Sequence, residues 1–125
     1  KEKEMANTFK VVTFAAEPGT AGTEYVMYTT AGSTTTVILG LILTNLHTAQ
    51  VTATVRLISD TTKTGATGNA NNGTSVLVKS APIPVGSSLE ILTGSKVVLE
   101  TTDQIDIDCS VADKLSGTLS IMEIT

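Results

Sequence analysis

Short stretches of alternating apolar and polar residues run through most of this chain. The clearest covers residues 50–59, where positions 51, 53, 55 and 57 are Val, Ala, Val and Leu, while 52, 54 and 56 are Thr, Thr and Arg. Successive side chains of a β-strand point to opposite faces, so this alternation predicts a strand with one face on a core. The other face is expected to meet solvent or a partner.

Eight further stretches have the length and the β-branched composition of strands. They predict strands at residues 8–14, 23–29, 34–45, 75–79, 89–92, 96–99, 104–109 and 116–124. Gly- and Pro-containing turn signals separate them, including Pro18-Gly19 and residues 83–86. Residues 34–45 are almost continuously apolar, which favours a fully buried strand, and Gly40 in its middle predicts a bulge or a close approach of another backbone.

The number and spacing of these strands define the expected fold. With about eight to nine short strands and no convincing helical pattern, the chain is predicted to be all-β, an antiparallel β-sandwich of jelly-roll type. We expect a flexible N-terminal arm at residues 1–7 and a single sandwich domain at residues 8–125. The pattern leaves the order of the strands within the sheets open.

One long segment breaks the strand pattern. Residues 60–74 are rich in Gly, Asn and Thr and low in apolar residues, which predicts a long loop or hairpin tip. Such a loop suits a contact arm towards a neighbouring protein, and a solvated hairpin is the alternative. The predicted partner-contact residues are therefore polar residues of this loop and of the N-terminal arm: Asp60, Lys63, Asn69, Asn71, Asn72 and Asn7.

Composition narrows the classes of function. Charged residues make up only 16% of the chain, against roughly a quarter in typical soluble domains. A surface of Thr and Ser suits a protein largely covered by neighbours. The net charge of −4 and the lack of a basic cluster disfavour a nucleic-acid partner. No apolar run reaches the roughly 20 residues that a membrane-spanning helix requires, so no membrane partner is expected.

Candidate chemistry is sparse. His47 is the only histidine, and no nucleophile elbow accompanies it, so we expect no enzymatic activity and no cofactor. Cys109 is the only cysteine and is expected to be a small buried hydrophobe. Asp106 and Asp108 share one face of a predicted strand, with Asp103 and Asp113 nearby, and we interpret them as a solvated polar face. A hard-cation site, although the spacing is not that of an EF-hand, and an acidic patch for a basic partner are the alternatives.

Three segments carry a resemblance to a known group of proteins. Residues 82–89 (PIPVGSSL), residues 99–105 (LETTDQI) and residues 120–124 (SIMEI), with MANTFK near the start, resemble small all-β virion proteins of tailed bacteriophages, including those of cyanobacteria. The resemblance implies a structural role in the virion and no catalytic residues. The partners it implies are the major capsid protein or other virion proteins, together with self-association.

Three functions remain open at this point. The first is a capsid decoration or cement protein on the virion surface. The second is a small neck, tail or baseplate component. The third, from another class, is a carbohydrate-binding module, against which the aromatic content of only 3% counts.

Overall fold

A computed structural model describes residues 6–59, 73–91 and 96–125, and within these ranges the chain forms nine β-strands and no helix. Every predicted strand is present, with ends that differ from the prediction by a few residues. The strands are β1 Asn7–Glu17, β2 Tyr25–Thr29, β3 Thr35–Asn45, β4 Val51–Ser59, β5 Gly73–Ile83, β6 Ser88–Ile91, β7 Val97–Leu99, β8 Gln104–Cys109 and β9 Leu115–Ile124.

The strands form two antiparallel sheets, which confirms the predicted all-β sandwich. Sheet A has the order β1-β9-β3-β6, with β7 also paired to β3, and sheet B has the order β2-β8-β4-β5. Strands β6 and β7 pair with the two halves of β3 and act as one interrupted strand. The pairs β1 with β9, β2 with β8, β3 with β6 and β7, and β4 with β5 describe a single long hairpin folded into two layers. That connectivity is the jelly roll.

The core lies between the sheets and is aliphatic. It is built from one face of each sheet, and its fully buried large side chains are Ile38, Leu41, Leu43, Val51, Val55, Ile83, Leu99, Ile105, Ile107, Leu115, Leu119 and Ile121. Cys109 is buried among them as a free thiol, as predicted. Val51, Ala53 and Val55 are also buried, so the alternation in residues 50–59 gave the inner face of β4 correctly.

Two local features agree with the turn and bulge signals of the sequence. The pairing of β3 with β9 shifts between Ile38 and Gly40, so Gly40 lies at a bulge. The Ser87 N–H donates to the Pro84 carbonyl at 3.1 Å and closes the predicted turn after β5. Among the described residues no helix has the length and hydropathy needed to cross a membrane.

Candidate interaction surface

The contact residues predicted from the sequence are mostly in a part of the chain that the structure does not describe. Asp60, Lys63, Asn69, Asn71 and Asn72 all lie outside the described residues. Asn7, which we placed in the flexible arm, is instead the first residue of β1 and pairs with Ile124. The residue before it, Ala6, exchanges two backbone hydrogen bonds with Thr125, so the strand pairing begins earlier than predicted.

The outer face of sheet A carries an apolar row that crosses four strands. Phe9 on β1 is paired with Met122 on β9, Met122 with Val37 on β3, and Val37 with Val98 on β7. We call these four residues the apolar row. Phe9 is 72% exposed and Val98 56% exposed, and the two central members are half-buried.

Exposed apolar residues extend this surface on one side of the apolar row, towards the start of β9. Val11, which is 63% exposed, is two residues from Phe9 on β1, and Ile42 is exposed on β3. Between them lie the exposed Thr118 and Ser120 of β9. Neighbouring apolar side chains on a surface with little charge are typical of a protein-binding site.

The sequence analysis did not predict the apolar row, although the sequence of the first strand contains a signal for an exposed apolar surface. The predicted strand at residues 8–14 has apolar side chains on both faces, Phe9 and Val11 on one and Val12 and Phe14 on the other. Phe14 packs in the core and Val12 packs against it. An edge strand that is apolar on both faces indicates a second buried contact beyond its own core.

A charged cluster occupies the outer face of sheet B. Arg56 on β4 is bonded through Nη1 to Asp108 Oδ2 at 2.6 Å and lies 3.6 Å from Glu24 Oε1. Asp106 is next to this cluster, paired across the sheet with Val26 on one side and Arg56 on the other.

Asp106 corrects one prediction. We expected it on a solvated face, but it is only 3% exposed because its cross-strand neighbours flank it, and its Oδ1 has no hydrogen-bond partner among the described residues. Burial and the nearby Glu24 carboxylate raise the pKa of Asp106, while Arg56 opposes that shift. The cluster is therefore an outward-facing ion pair beside a partly desolvated carboxyl group.

A second polar network links the two sheets at one end of the sandwich. The Tyr28 hydroxyl of sheet B donates to Glu123 Oε2 at 2.6 Å, and Lys10 Nζ lies 2.7 Å from the other oxygen of the same carboxylate. Thr36 Oγ1 is 2.8 Å from the Tyr28 oxygen. Because tyrosine has one hydroxyl hydrogen, Thr36 must donate to Tyr28. These bonds fix the distance between the sheets at the end where the apolar row lies.

This network predicts a pH dependence of stability. Burial and the bond to Glu123 raise the pKa of Tyr28 to about 12, whereas the bonds from Lys10 and Tyr28 lower the pKa of Glu123. A raised tyrosine pKa contributes stability below about pH 10 that is lost as the pH rises towards 12; a lowered glutamate pKa contributes stability above about pH 4.3 that is lost in acid. We expect Tyr28→Phe to lower the free energy of unfolding by about 1–2 kcal/mol at pH 7.

Two measurements check this expectation. Absorbance titration of the folded wild-type protein should show a tyrosine ionising near pH 12 that is absent from Tyr28→Phe. Urea denaturation should show a smaller difference between the two proteins in acid than at pH 7, because protonation of Glu123 weakens the same bond. A difference that is the same at both pH values would contradict the assignment of the Glu123 bond.

The described residues offer little else on which chemistry could be built. The backbone N–H of His47 donates to Asn45 Oδ1 at 2.7 Å, so the position of this loop is set by a structural contact. In the described ranges no group of three or more His, Cys, Asp or Glu side chains is placed to hold a metal ion. Phe14 is buried and stacks edge-on against Tyr25, with ring centroids 5.2 Å apart, which leaves Phe9 as the strongly exposed aromatic side chain.

Comparison with known proteins gives a distant structural likeness. No protein-family profile matches the chain, and no curated protein matches it. A chain from a solved structure described as "Bacillus endospore appendages form a novel family of disulfide-linked pili" aligns with 99% of this chain and 89% of its own length, at 16% identity and a TM-score of 0.43. The matched chain belongs to a bacterial appendage, so the comparison gives no support to a phage origin, and at this TM-score it carries no argument about function.

Proposed function

We propose that this protein is a non-enzymatic structural subunit of a virion, and most specifically a decoration or cement protein that binds the major capsid protein. The observation that carries the structural role is the apolar row, which spans four strands on the outside of sheet A and is not needed for the protein's own core. The assignment to a phage capsid is supported by the sequence resemblance of residues 82–89, 99–105 and 120–124.

The fold and the surface fit this role. A jelly roll is a rigid two-layer scaffold, and viral capsid proteins use it repeatedly. The low charge of the chain reduces the desolvation needed when its surface is covered. Many copies that each make a modest apolar contact with a repeating shell would together bind strongly, because multivalent contacts add.

The proposal predicts that a charge in the apolar row abolishes binding to the particle. Val98→Lys places an ammonium group at one end of the apolar row, within the expected contact, where burial without a partner is strongly unfavourable. Thr29→Lys is the matched control, because Thr29 is exposed on the opposite sheet. Both proteins would be added to particles that lack the native protein, and the bound fraction would be measured after density-gradient centrifugation.

The expected result is that wild type and Thr29→Lys sediment with the particles and raise their rupture temperature, whereas Val98→Lys stays in the soluble fraction. Quantitative gel staining separates the two virion locations, since a decoration protein is present in hundreds of copies and a neck or tail component in few. Equal binding of all three proteins would refute the role of the apolar row. Particles that rupture at the same temperature with and without the protein would refute cementing.

A further inference from the structure

The four edges of the two sheets differ in how well they are protected against pairing with another chain. Edge strands are usually kept short, bulged, or interrupted by proline and charge. At one edge of sheet A, β6 and β7 are only four and three residues long. In sheet B, β2 has five residues and a register shift between Val26 and Tyr28. β5 contains Pro82, the positive-φ residue Ser80 and two register shifts against β4.

The remaining edge, β1, has none of these features over most of its length. It is eleven residues long, and its pairing with β9 is regular from Asn7 to Phe14. It contains no proline, and the one charged side chain in that regular stretch, Lys10, is already paired with Glu123. Within the described part of the chain, β1 is thus the edge on which another strand fits best.

The outward-facing backbone groups of β1 can be identified from the pairing. Ala6 and Thr125 exchange two hydrogen bonds, and antiparallel pairs alternate between bonded and non-bonded. With the register unchanged along the strand, the even-numbered residues from Thr8 to Phe14 bond to β9. The N–H and C=O groups that point away from sheet A therefore belong to the odd-numbered residues, namely Asn7, Phe9, Val11 and Thr13. Two of these residues also carry the most exposed apolar side chains of the described chain.

We propose that β1 pairs antiparallel with β1 of a second copy across a two-fold axis, so that the two A sheets join into one continuous sheet. The partner strand is a second β1 rather than β5, because β5 of another copy carries the proline and the register shifts described above. The inference rests on the proposed role as an assembly subunit, and it is tested in solution without any particle, so the two proposals can fail separately.

The pairing register follows from the positions of the outward-facing groups. If Phe9 faces Val11 of the second copy, then Asn7 faces Thr13, and all four outward-facing residues of each strand form bonded pairs. Registers that place Phe9 opposite Phe9, or Val11 opposite Val11, leave one of the four without a bonded partner among these residues. The chosen register brings the two Lys10 side chains opposite each other, and their repulsion is reduced because each is paired with its own Glu123.

This register has a consequence for the apolar row. Phe9 at the end of the row lies beside Val11 of the second copy, and Val11 beside Phe9. The row then continues across the two-fold axis into the second subunit, and the apolar surface available for a capsid or another partner is doubled without a gap.

The first test is a proline at an outward-facing position. Val11→Pro removes an N–H that does not bond to β9, so the fold should be retained, whereas the added strand loses a hydrogen bond and meets the proline ring. Val11→Thr is the control, since it keeps the N–H and the β-branched shape. By sedimentation equilibrium we expect wild type and Val11→Thr to be dimeric. We expect the dimer dissociation constant of Val11→Pro to be at least about tenfold higher than that of wild type.

Thermal denaturation of the same proteins shows whether Val11→Pro is folded. If it is not, Val11→Lys replaces it, because an exposed lysine is tolerated on a strand edge and opposes pairing. A wild-type protein that sediments as a monomer at high concentration would overturn the proposal. So would a dimer that is equally strong in the folded variants at position 11.

The second test reads the register directly. Single variants Phe9→Cys and Val11→Cys are mixed and oxidised, with Cys109 buried and unable to interfere. Bonded antiparallel pairs lie about 5.5 Å apart at Cα, within reach of a disulfide. We expect the mixed disulfide to exceed both symmetric products at least severalfold. Predominance of either symmetric product would overturn this register, and absence of all three would overturn the pairing.

Discussion

Asn45→Asp is expected to lower the free energy of unfolding by about 3–5 kcal/mol, a large part of the stability of a domain of this size. Asn45 is 4% exposed and ends β3. Its Nδ2 donates to the carbonyl oxygens of Ile83 at 2.9 Å, Ala49 at 3.0 Å and Pro84 at 3.2 Å. An aspartate would place a carboxylate oxygen against three carbonyl oxygens and would leave them without a donor.

This effect should depend on pH in a defined direction. The surrounding carbonyl groups favour the protonated form of the introduced carboxyl group, because only that form can donate. Its folded-state pKa is therefore raised, and the stability it provides is lost as the pH rises through that value. We expect the difference from wild type, measured by urea denaturation, to be smaller at pH 4 than at pH 7.

Asn7→Asp is the matched control for this substitution. It makes the same chemical change at an exposed position, and its effect should stay within about 0.5 kcal/mol. A loss of stability at position 45 as small as at position 7 would show that the three carbonyl contacts do not hold the β3 end in place.

Gly117→Ala is the second large expected effect, with a loss of about 1–3 kcal/mol. The Phe14 ring lies across Gly117 on the neighbouring strand, and a Cβ at position 117 would lie 2.7 Å from Phe14 Cζ and closer still to Cε2. Alanine in a strand normally gains about 0.5–1 kcal/mol over glycine. The clash outweighs that gain because the ring is held in the core and in its edge-on contact with Tyr25.

A double-mutant cycle isolates this contact. Phe14→Leu removes the atoms that clash, so Gly117→Ala should cost about 1–2 kcal/mol less in that background than in the wild type. Gly40→Ala is the control, because no atom lies within 4 Å of a Cβ at position 40 and the change should be neutral or slightly stabilising. Additive effects of the two substitutions would mean that the ring moves aside at little cost.

The sequence was a good guide to the elements of the fold. Period-two alternation and turn residues act locally, so the strand at residues 104–109 was predicted with its observed bounds and the bulge at Gly40 was anticipated. In that strand, Ile105, Ile107 and Cys109 alternate with Asp106 and Asp108, and all three are fully buried on the inner face of β8. The first strand began earlier and the β5 strand was longer than predicted, because their ends are set by pairing with β9 and β4.

The candidate surface could not be predicted in the same way. The sequence placed contact residues in polar loops, whereas the exposed apolar surface of the described chain lies on strands that are far apart in sequence. Phe9, Val37, Val98 and Met122 become neighbours only through the pairing of β1, β9, β3 and β7. The sequence pattern predicts a solvated Asp106 because this residue is on the polar face of an alternating strand. Its burial depends instead on Val26 and Arg56, which come from two other strands.

The all-β class, the positions of the strands and the core-facing side of most strands follow from the amino-acid order, because these properties depend on residues one or two positions apart. The jelly-roll strand order, the apolar row and the open β1 edge arise only when the strands pair in three dimensions. Those properties depend on strand partners up to 117 residues away, as in the pairing of Asn7 with Ile124, which local alternation does not encode.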